Sequence, residues 1–197
     1  MQSAGGSGAV RGELAVTRDT TPHLRLATVD DVPAIAALIA DAVRGSSGGM
    51  YSEAEIEESL VTVFGADSQL IADRTYFVIE DELGLAASGG WSGRTNVCGG
   101  DQTKTGLDAL LDPARDAARI RAFFVAPRCA RRGLARRLYA ACEANAIAAG
   151  FTRFLLGATL PGVALYDALG FHALGRDDFP MRFGLSLGIM RMERRIP

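Results

Sequence analysis

The segment Phe123–Tyr139, Phe-Phe-Val-Ala-Pro-Arg-Cys-Ala-Arg-Arg-Gly-Leu-Ala-Arg-Arg-Leu-Tyr, constrains the fold more than any other part of this chain. An apolar, β-prone run stops at Pro127, an arginine-rich turn follows, and Gly133 opens a helical pattern. In a strand–turn–helix unit the first N–H groups of the helix have no intrahelical partner, and the positive end of the helix dipole lies beside them. An anion suits that position. Gly133 lacks a Cβ, so a ligand can come close to the main chain. Arg128, Arg131, Arg132, Arg136 and Arg137 add the forked charge that binds phosphate oxygens. The turn reads as a phosphate cradle. It is not the kinase-type loop, because no Gly-x-x-x-x-Gly-Lys-Ser/Thr occurs, nor the dinucleotide fingerprint, which needs three spaced glycines after a first strand.

The segment resembles the acetyl-coenzyme A loop of the GCN5-related N-acetyltransferase (GNAT) superfamily. That loop reads Arg/Gln-x-x-Gly-x-Gly/Ala after a strand ending Val-x-Pro. Val125, Pro127, Arg132, Gly133 and Ala135 fall into register, while Ala130 stands where Arg or Gln is usual. The resemblance continues through Leu165-Tyr166-Asp167-Ala168-Leu169-Gly170-Phe171, which matches the family's Leu/Phe-Tyr-x-x-x-Gly-Phe signature. Many members carry Asn seven residues before that tyrosine; this chain has Thr159. In element order the resemblance spans roughly residues 24 to 195. It implies an α/β (α+β) fold with a mixed, mostly antiparallel central sheet flanked by helices. It also implies acetyl-CoA as cosubstrate, a cofactor-binding set of Phe124, Val125, Ala130, Arg131, Arg132, Gly133, Leu134, Ala135 and Arg136, and Tyr166 facing the coenzyme sulfur.

Composition bounds the alternatives. The chain has 197 residues, 48% apolar and 22% charged, as expected of one globular domain with a sizeable core. Net charge is −2, so the arginine cluster is local, which argues against a general nucleic-acid binder. Cys98, Cys129 and Cys142 lack zinc spacing and cannot all pair, which fits a reduced, cytoplasmic location without a metal. No apolar run approaches the roughly 18 residues of a membrane span. Residues 1–21 are expected to form a flexible leader, and 22–197 the acetyltransferase domain.

The rest of the chain alternates helix and strand signals. His23–Ala27 alternates as a strand, and Asp30 or Asp31 caps a helix with Pro33 in its first turn and Val32, Ile35, Ala36, Leu38 and Ile39 as its stripe. Gly45–Gly49 is a loop, and Ser52 with Glu55 has the spacing of a capping box for a second helix. Thr75–Glu80 and Leu83–Trp91 form a hairpin. Ser92–Ala118 has no period and is a long excursion. After the strand Ile120–Val125 come a helix from about Arg132 to Ala149, a strand Thr152–Ala158, a short helix with Tyr166, and strands near Phe171–Arg176 and Gly188–Arg194.

Acetyl transfer from a thioester to an amine needs a neutral nucleophile, a polarised carbonyl and a protonated leaving thiol. The Phe124 and Val125 N–H groups can polarise the carbonyl. Tyr166 can protonate the thiolate, so Tyr166 is the catalytic candidate. The family often carries a glutamate on the strand before the loop, which here reads Arg119-Ile120-Arg121-Ala122-Phe123-Phe124. Glu80, Asp73, Asp101 and His172 are the other candidates, and none is assigned as base. Trp91 and Tyr51 are each a packing residue or an acceptor-pocket residue. The expected activity is direct acetyl transfer from acetyl-CoA to a primary amine of a small molecule or protein, through a pocket built from Arg44–Tyr51, His172–Met192 and the 92–118 excursion. The alternatives are a non-catalytic acyl-CoA-binding sensor and an arginine-patch polyanion binder. No nucleic-acid or membrane partner is expected. Dimers are common in the family, and a homodimer stays open.

Overall fold

The structure, a computed structural model, describes residues 22–46 and 49–196. The expected leader at 1–21 lies outside the described residues, as do Ser47 and Gly48 of the glycine-rich loop. A seven-stranded sheet in the order β1-β2-β3-β4-β5-β7-β6 forms the centre. Its strands are β1 (His23–Leu26), β2 (Tyr76–Asp81), β3 (Gly84–Ser92), β4 (Ala118–Val125), β5 (Arg153–Thr159), β6 (His172–Pro180) and β7 (Ser186–Arg195). Only β4 and β5 run parallel; β7 inserts between β5 and β6. The sheet is mixed and mostly antiparallel, as expected.

Among the described residues five α-helices flank the sheet: α1 (Val32–Ser46), α2 (Glu53–Thr62), α3 (Ser68–Ala72), α4 (Leu134–Ala148) and α5 (Val163–Asp167). Alternation in β2 sends Tyr76 and Val78 into a core with Ile35 and Ile39 of α1 and Leu70 of α3. It sends Phe77 and Ile79 into the larger core with Leu134, Leu138, Tyr139, Cys142 and Ala146 of α4. Those α4 residues recur at helical spacing and form its buried stripe, opposite the exposed arginines.

The capping box at Ser52 is present: Glu55 N–H donates to Ser52 Oγ at 3.3 Å, and the Glu55 carboxylate accepts from Ser52 N–H at 2.7 Å. The start of α1 differs from expectation. A short 3-10 turn, Val29–Asp31, precedes it, and Thr28 is the capping residue. Asp31 accepts from Thr28 N–H at 2.7 Å and from Arg25 at 2.7 and 2.8 Å, so it is the reciprocal partner and not the cap. The five-residue α3 falls inside a stretch without helical period; the Asp67 side chain, accepting from Gln69 and Leu70 N–H, starts it. Between β3 and β4 the excursion carries one short 3-10 turn at Asp101–Thr103 and a single bridge, Arg94 to Leu110.

Candidate active site

Strands β4 and β5 pair only at Ala118 with Phe154 and Arg119 with Leu155. Beyond those pairs they diverge, and the space between them opens toward the turn before α4. Two features of β4 set this shape. Ala122 has φ 56°, a conformation rare outside glycine. There, two residues of β4 oppose one of β3, with Ser88 facing Phe124 and Gly90 facing Arg121. Phe123 then crosses β3 at Gly89, where a Cβ would stand 2.7 Å from its ring. Only glycine fits beneath it.

The bulge fixes which backbone groups face the gap. Ala126 N–H donates to Ala86 O at 2.9 Å, so Val125 and Ala87 form a non-hydrogen-bonded pair. The Val125 N–H therefore points away from β3, into the gap, and alternation turns that of Phe124 toward β3. Of the two amides expected to polarise a carbonyl, geometry leaves Val125. Phe124 contributes its ring, edge-on to Phe64 with centroids 5.8 Å apart.

The arginine-rich turn ends in a cradle of free amides. Arg131 and Gly133 have φ 63° and 79°, and Gly133 is the N-terminal cap of α4 without a side-chain partner. Among the described residues, no N–H from Arg131 to Arg136 meets an acceptor; the first helical bond runs from Arg137 to Gly133 O at 3.1 Å. Successive unpaired N–H groups at a left-handed turn make an anion-binding concavity. A Cβ at Gly133 would meet nothing within 4 Å, so the approach is open.

The arginines divide into two groups. Arg128 is tied back to Asp81 at 2.6 Å, holding that carboxyl below its usual range, and also reaches Leu85 O at 3.3 Å. Arg137 donates to Pro22 O. The carboxylate partner sets Arg128 apart, whereas one bond to a carbonyl leaves most of the exposed Arg137 guanidinium open, as the Ala168 O contact does for Arg136. Arg131, Arg132 and Arg136 are exposed and make no ion pair among the described residues. Ala130 is exposed at the start of the loop, Leu134 is buried beneath it, and Ala135 lines the cavity that continues inward.

That cavity, about 180 Å³, runs between β4 and β5 and is walled by α1, α2, the excursion and α5. Tyr166 lines it, with its ring edge-on to Phe171 at 5.6 Å and tilted against Phe123 at 6.4 Å. Its hydroxyl has no partner among the described residues, and burial pushes the phenol well above its ordinary pKa. Thr159, at the position where an asparagine was expected from the resemblance, lines the same wall. Tyr51 also lies there; its hydroxyl donates to Gly188 O at 2.6 Å and accepts from Leu160 N–H at 2.8 Å, pinning the loop after α1 to the ends of β5 and β7. Trp91 does not reach the wall and packs against Phe151.

None of the candidate bases lies in the cavity. Glu80 pairs with Arg25 at 2.8 Å, Asp73 with Arg94 at 2.6 Å and His172 with Glu193 at 3.1 Å, while Asp101 accepts from Ser68 N–H at 3.0 Å. A buried cluster beside the cavity was missed in the sequence. Asp67, 1% exposed, lies 2.9 Å from Arg121 without the alignment of a hydrogen bond, and also meets Lys104. Arg121 donates to Gly99 O. This cluster fastens the excursion to β4 and places Val97, Cys98 and Gly99 in the wall. Its members are far apart in sequence, and no local pattern links them.

An amide cradle thus opens onto a gap between diverging parallel strands, with a phenol at its inner end. Residues 110–193 match the family model for the acetyltransferase (GNAT) domain, and the resemblance carried by residues 123 to 171 holds. Among solved structures, a GCN5-related N-acetyltransferase from Rhodopseudomonas palustris aligns with a TM-score of 0.66 at 18% identity, over 89% of this chain and 96% of that one. A phosphinothricin acetyltransferase from Sinorhizobium meliloti, in complex with acetyl-CoA, aligns at 0.58 and 21% identity over 89% of both chains. The PaiA N-acetyltransferase from Thermoplasma acidophilum, in complex with coenzyme A, aligns at 0.57 and 10% identity, over 89% of this chain and 99% of that one. At these identities the likeness is one of fold. No curated protein matches the chain by sequence. Among the described residues no helix is long and apolar enough to cross a membrane, no His, Cys, Asp and Glu gather in a metal-binding group, and Cys98, Cys129 and Cys142 are free.

Proposed function

We propose that this protein transfers an acetyl group from acetyl-CoA to a primary amine by direct attack, within one domain spanning 22–197 in a reducing, cytoplasmic setting. The observation that carries this reading is the run of unpaired N–H groups from Arg131 to Arg136, leading directly into the cavity that holds Tyr166. The cradle would take the pyrophosphate, with Arg131, Arg132 and Arg136 adding charge. The pantetheine would follow the gap between β4 and β5 past Ala135 and Thr159. There the Val125 N–H would polarise the thioester carbonyl. As the C–N bond forms and the C–S bond breaks, the Tyr166 phenol would protonate the departing thiolate. Burial favours the neutral, proton-carrying phenol, which supports that role.

Thermal unfolding with and without acetyl-CoA tests the coenzyme site, with single-stranded DNA as control. Ligand at about 100 times its dissociation constant should add roughly 2.7 kcal/mol. A rise with DNA and none with acetyl-CoA would turn the turn into a polyanion site. One observation favours a second reading, a non-catalytic acyl-CoA sensor: among the described residues no carboxylate lines the cavity. It predicts saturable coenzyme binding without thiol release in the presence of any amine.

A further inference from the structure

The transfer reading leaves the acceptor open, and the cavity wall narrows it. Among the described residues, no carboxylate and no histidine lines the cavity; its ionisable members are Tyr51, Cys98, Arg121 and Tyr166. Burial raises the Cys98 thiol, so that group is neutral at pH 7. Both hydrogen-bonding directions of the Tyr51 hydroxyl are already used. Of the carboxylates on the surrounding elements, Glu55 is committed to the α2 cap, Glu57 to Arg44, Glu58 to Arg182, and Asp67 to Arg121 and Lys104, while Asp41, Glu53 and Asp167 are exposed and outside the lining. The charged group in the wall is the Arg121 guanidinium, with the residue 4% exposed and its charge countered by Asp67 behind it at 2.9 Å.

An ammonium entering this space loses its hydration in a medium of low dielectric and finds no free anion in the wall, where the one charged group is a cation already paired with Asp67. A neutral amine on an apolar body loses little and meets Ile56, Phe64, Val97 and Leu187. Resting on the acetyl-transfer reading, we propose that the acceptor is a small, weakly basic amine on an apolar body, of the aromatic-amine type, taken up in its neutral form, and that polyamines and lysine-like amines are excluded. Such an amine carries no ammonium proton at neutral pH, so no carboxylate base is required. Its nitrogen attacks the thioester carbonyl, the C–S bond breaks, the thiolate takes the Tyr166 proton, and the proton shed by nitrogen restores the phenol.

The test uses aniline, benzylamine and spermidine, each titrated calorimetrically into the protein with and without saturating CoA, and each followed for thiol release with acetyl-CoA. At pH 7 aniline should bind about tenfold or more tightly than benzylamine, because an alkylamine is almost wholly protonated there. Spermidine should show no saturable binding. Affinity and kcat/KM for benzylamine should climb about tenfold per pH unit between pH 7 and 9 while those for aniline stay flat. Val97→Asp, which sets a carboxylate in the wall, should shift the ratio toward benzylamine about fivefold or more. Equal affinities at pH 7, tighter binding of benzylamine or spermidine, or no binding of any amine by the wild-type protein would overturn the proposal, whether or not the variant folds. Failure to bind CoA would instead sink the transferase reading, while the order of amine affinities in the coenzyme-free protein would still decide the acceptor class.

Discussion

Tyr166→Phe separates the chemistry of the proposed site from its architecture. The ring of Tyr166 packs against Phe171 and Phe123, with centroids 5.6 and 6.4 Å away, and phenylalanine keeps both contacts. The hydroxyl bonds to nothing among the described residues, so its removal leaves no protein group unsatisfied. Stability should therefore change by no more than about 0.5 kcal/mol. Acetyl-CoA affinity should stay within about threefold, because the cradle lies at the other end of the gap. Loss of a general acid should lower kcat by about tenfold or more, or at least roughly 1.4 kcal/mol of barrier. The measurements are thiol release under saturating acceptor, acetyl-CoA titration calorimetry and thermal unfolding of both proteins. Since burial raises the phenol above its ordinary range, the wild-type kcat should not fall as pH approaches 10 through ionisation of this group. Full kcat in the variant would refute the general-acid role. A wild-type kcat that falls through the ordinary tyrosine range, with a variant that lacks this fall, would keep the acid role and refute the upward shift of the phenol.

Three further outcomes follow from the structure. Gly133→Glu should keep the fold, since a Cβ there meets nothing within 4 Å, at a cost of roughly 1–2 kcal/mol for the left-handed backbone. It should abolish the acetyl-CoA-induced rise in Tm, and an unchanged rise in a folded variant would show that the phosphates lie elsewhere. Asp67→Ala should cost about 3–5 kcal/mol by leaving Arg121 buried without its counter-charge and α3 without its cap, readable as a large fall in the urea midpoint; a loss under about 1 kcal/mol would mean the cluster is not structural. For Asp31, the Arg25 guanidinium holds the folded carboxyl well below the unfolded value near 3.9, so its stabilisation is complete above about pH 4 and is lost as pH falls through the folded value. Asp31→Asn should flatten the stability–pH curve between about pH 4 and 2 in urea titrations, and parallel curves would reject the pairing.

Much of the fold was legible because its signals are local. Continuous β-prone apolar runs located β2 and the apolar part of β4, period-two alternation located β1, the Ser52–Glu55 spacing located α2, and the stripe through Leu138, Cys142 and Ala146 belongs to a helix that ends within two residues of its expected limit. The misses have physical causes as well. Thr28 is a weaker cap signal than the two aspartates after it, and only the approach of Arg25 across the strand makes Asp31 a reciprocal partner. Helix α3 is five residues long, below the length at which a 3.6-residue period can be read. The insertion of β7 between β5 and β6 depends on pairing across the sheet, which no local pattern records.

The candidate site divides along the same line. The cradle is written in consecutive residues, because φ at Arg131 and Gly133 and the start of α4 create it from the main chain. That is why Ala130, with no charge to offer, does not disturb its geometry, and why counting arginines overstates the free charge: Arg128 is held by Asp81 at the end of β2. The cavity is the opposite case. Tyr51, Val97, Arg121, Thr159 and Leu187 come from separate segments and meet only after the sheet forms and the Asp67 cluster anchors the excursion. A sequence with acidic residues on both sides of the cavity gives no sign that every one of them is turned away from it. The proposed coenzyme cradle can thus be read from a short motif, whereas the charge preference proposed for the acceptor is a property of the assembled wall, set as much by the ion pairs that remove Glu58 and Asp67 as by the side chains that remain.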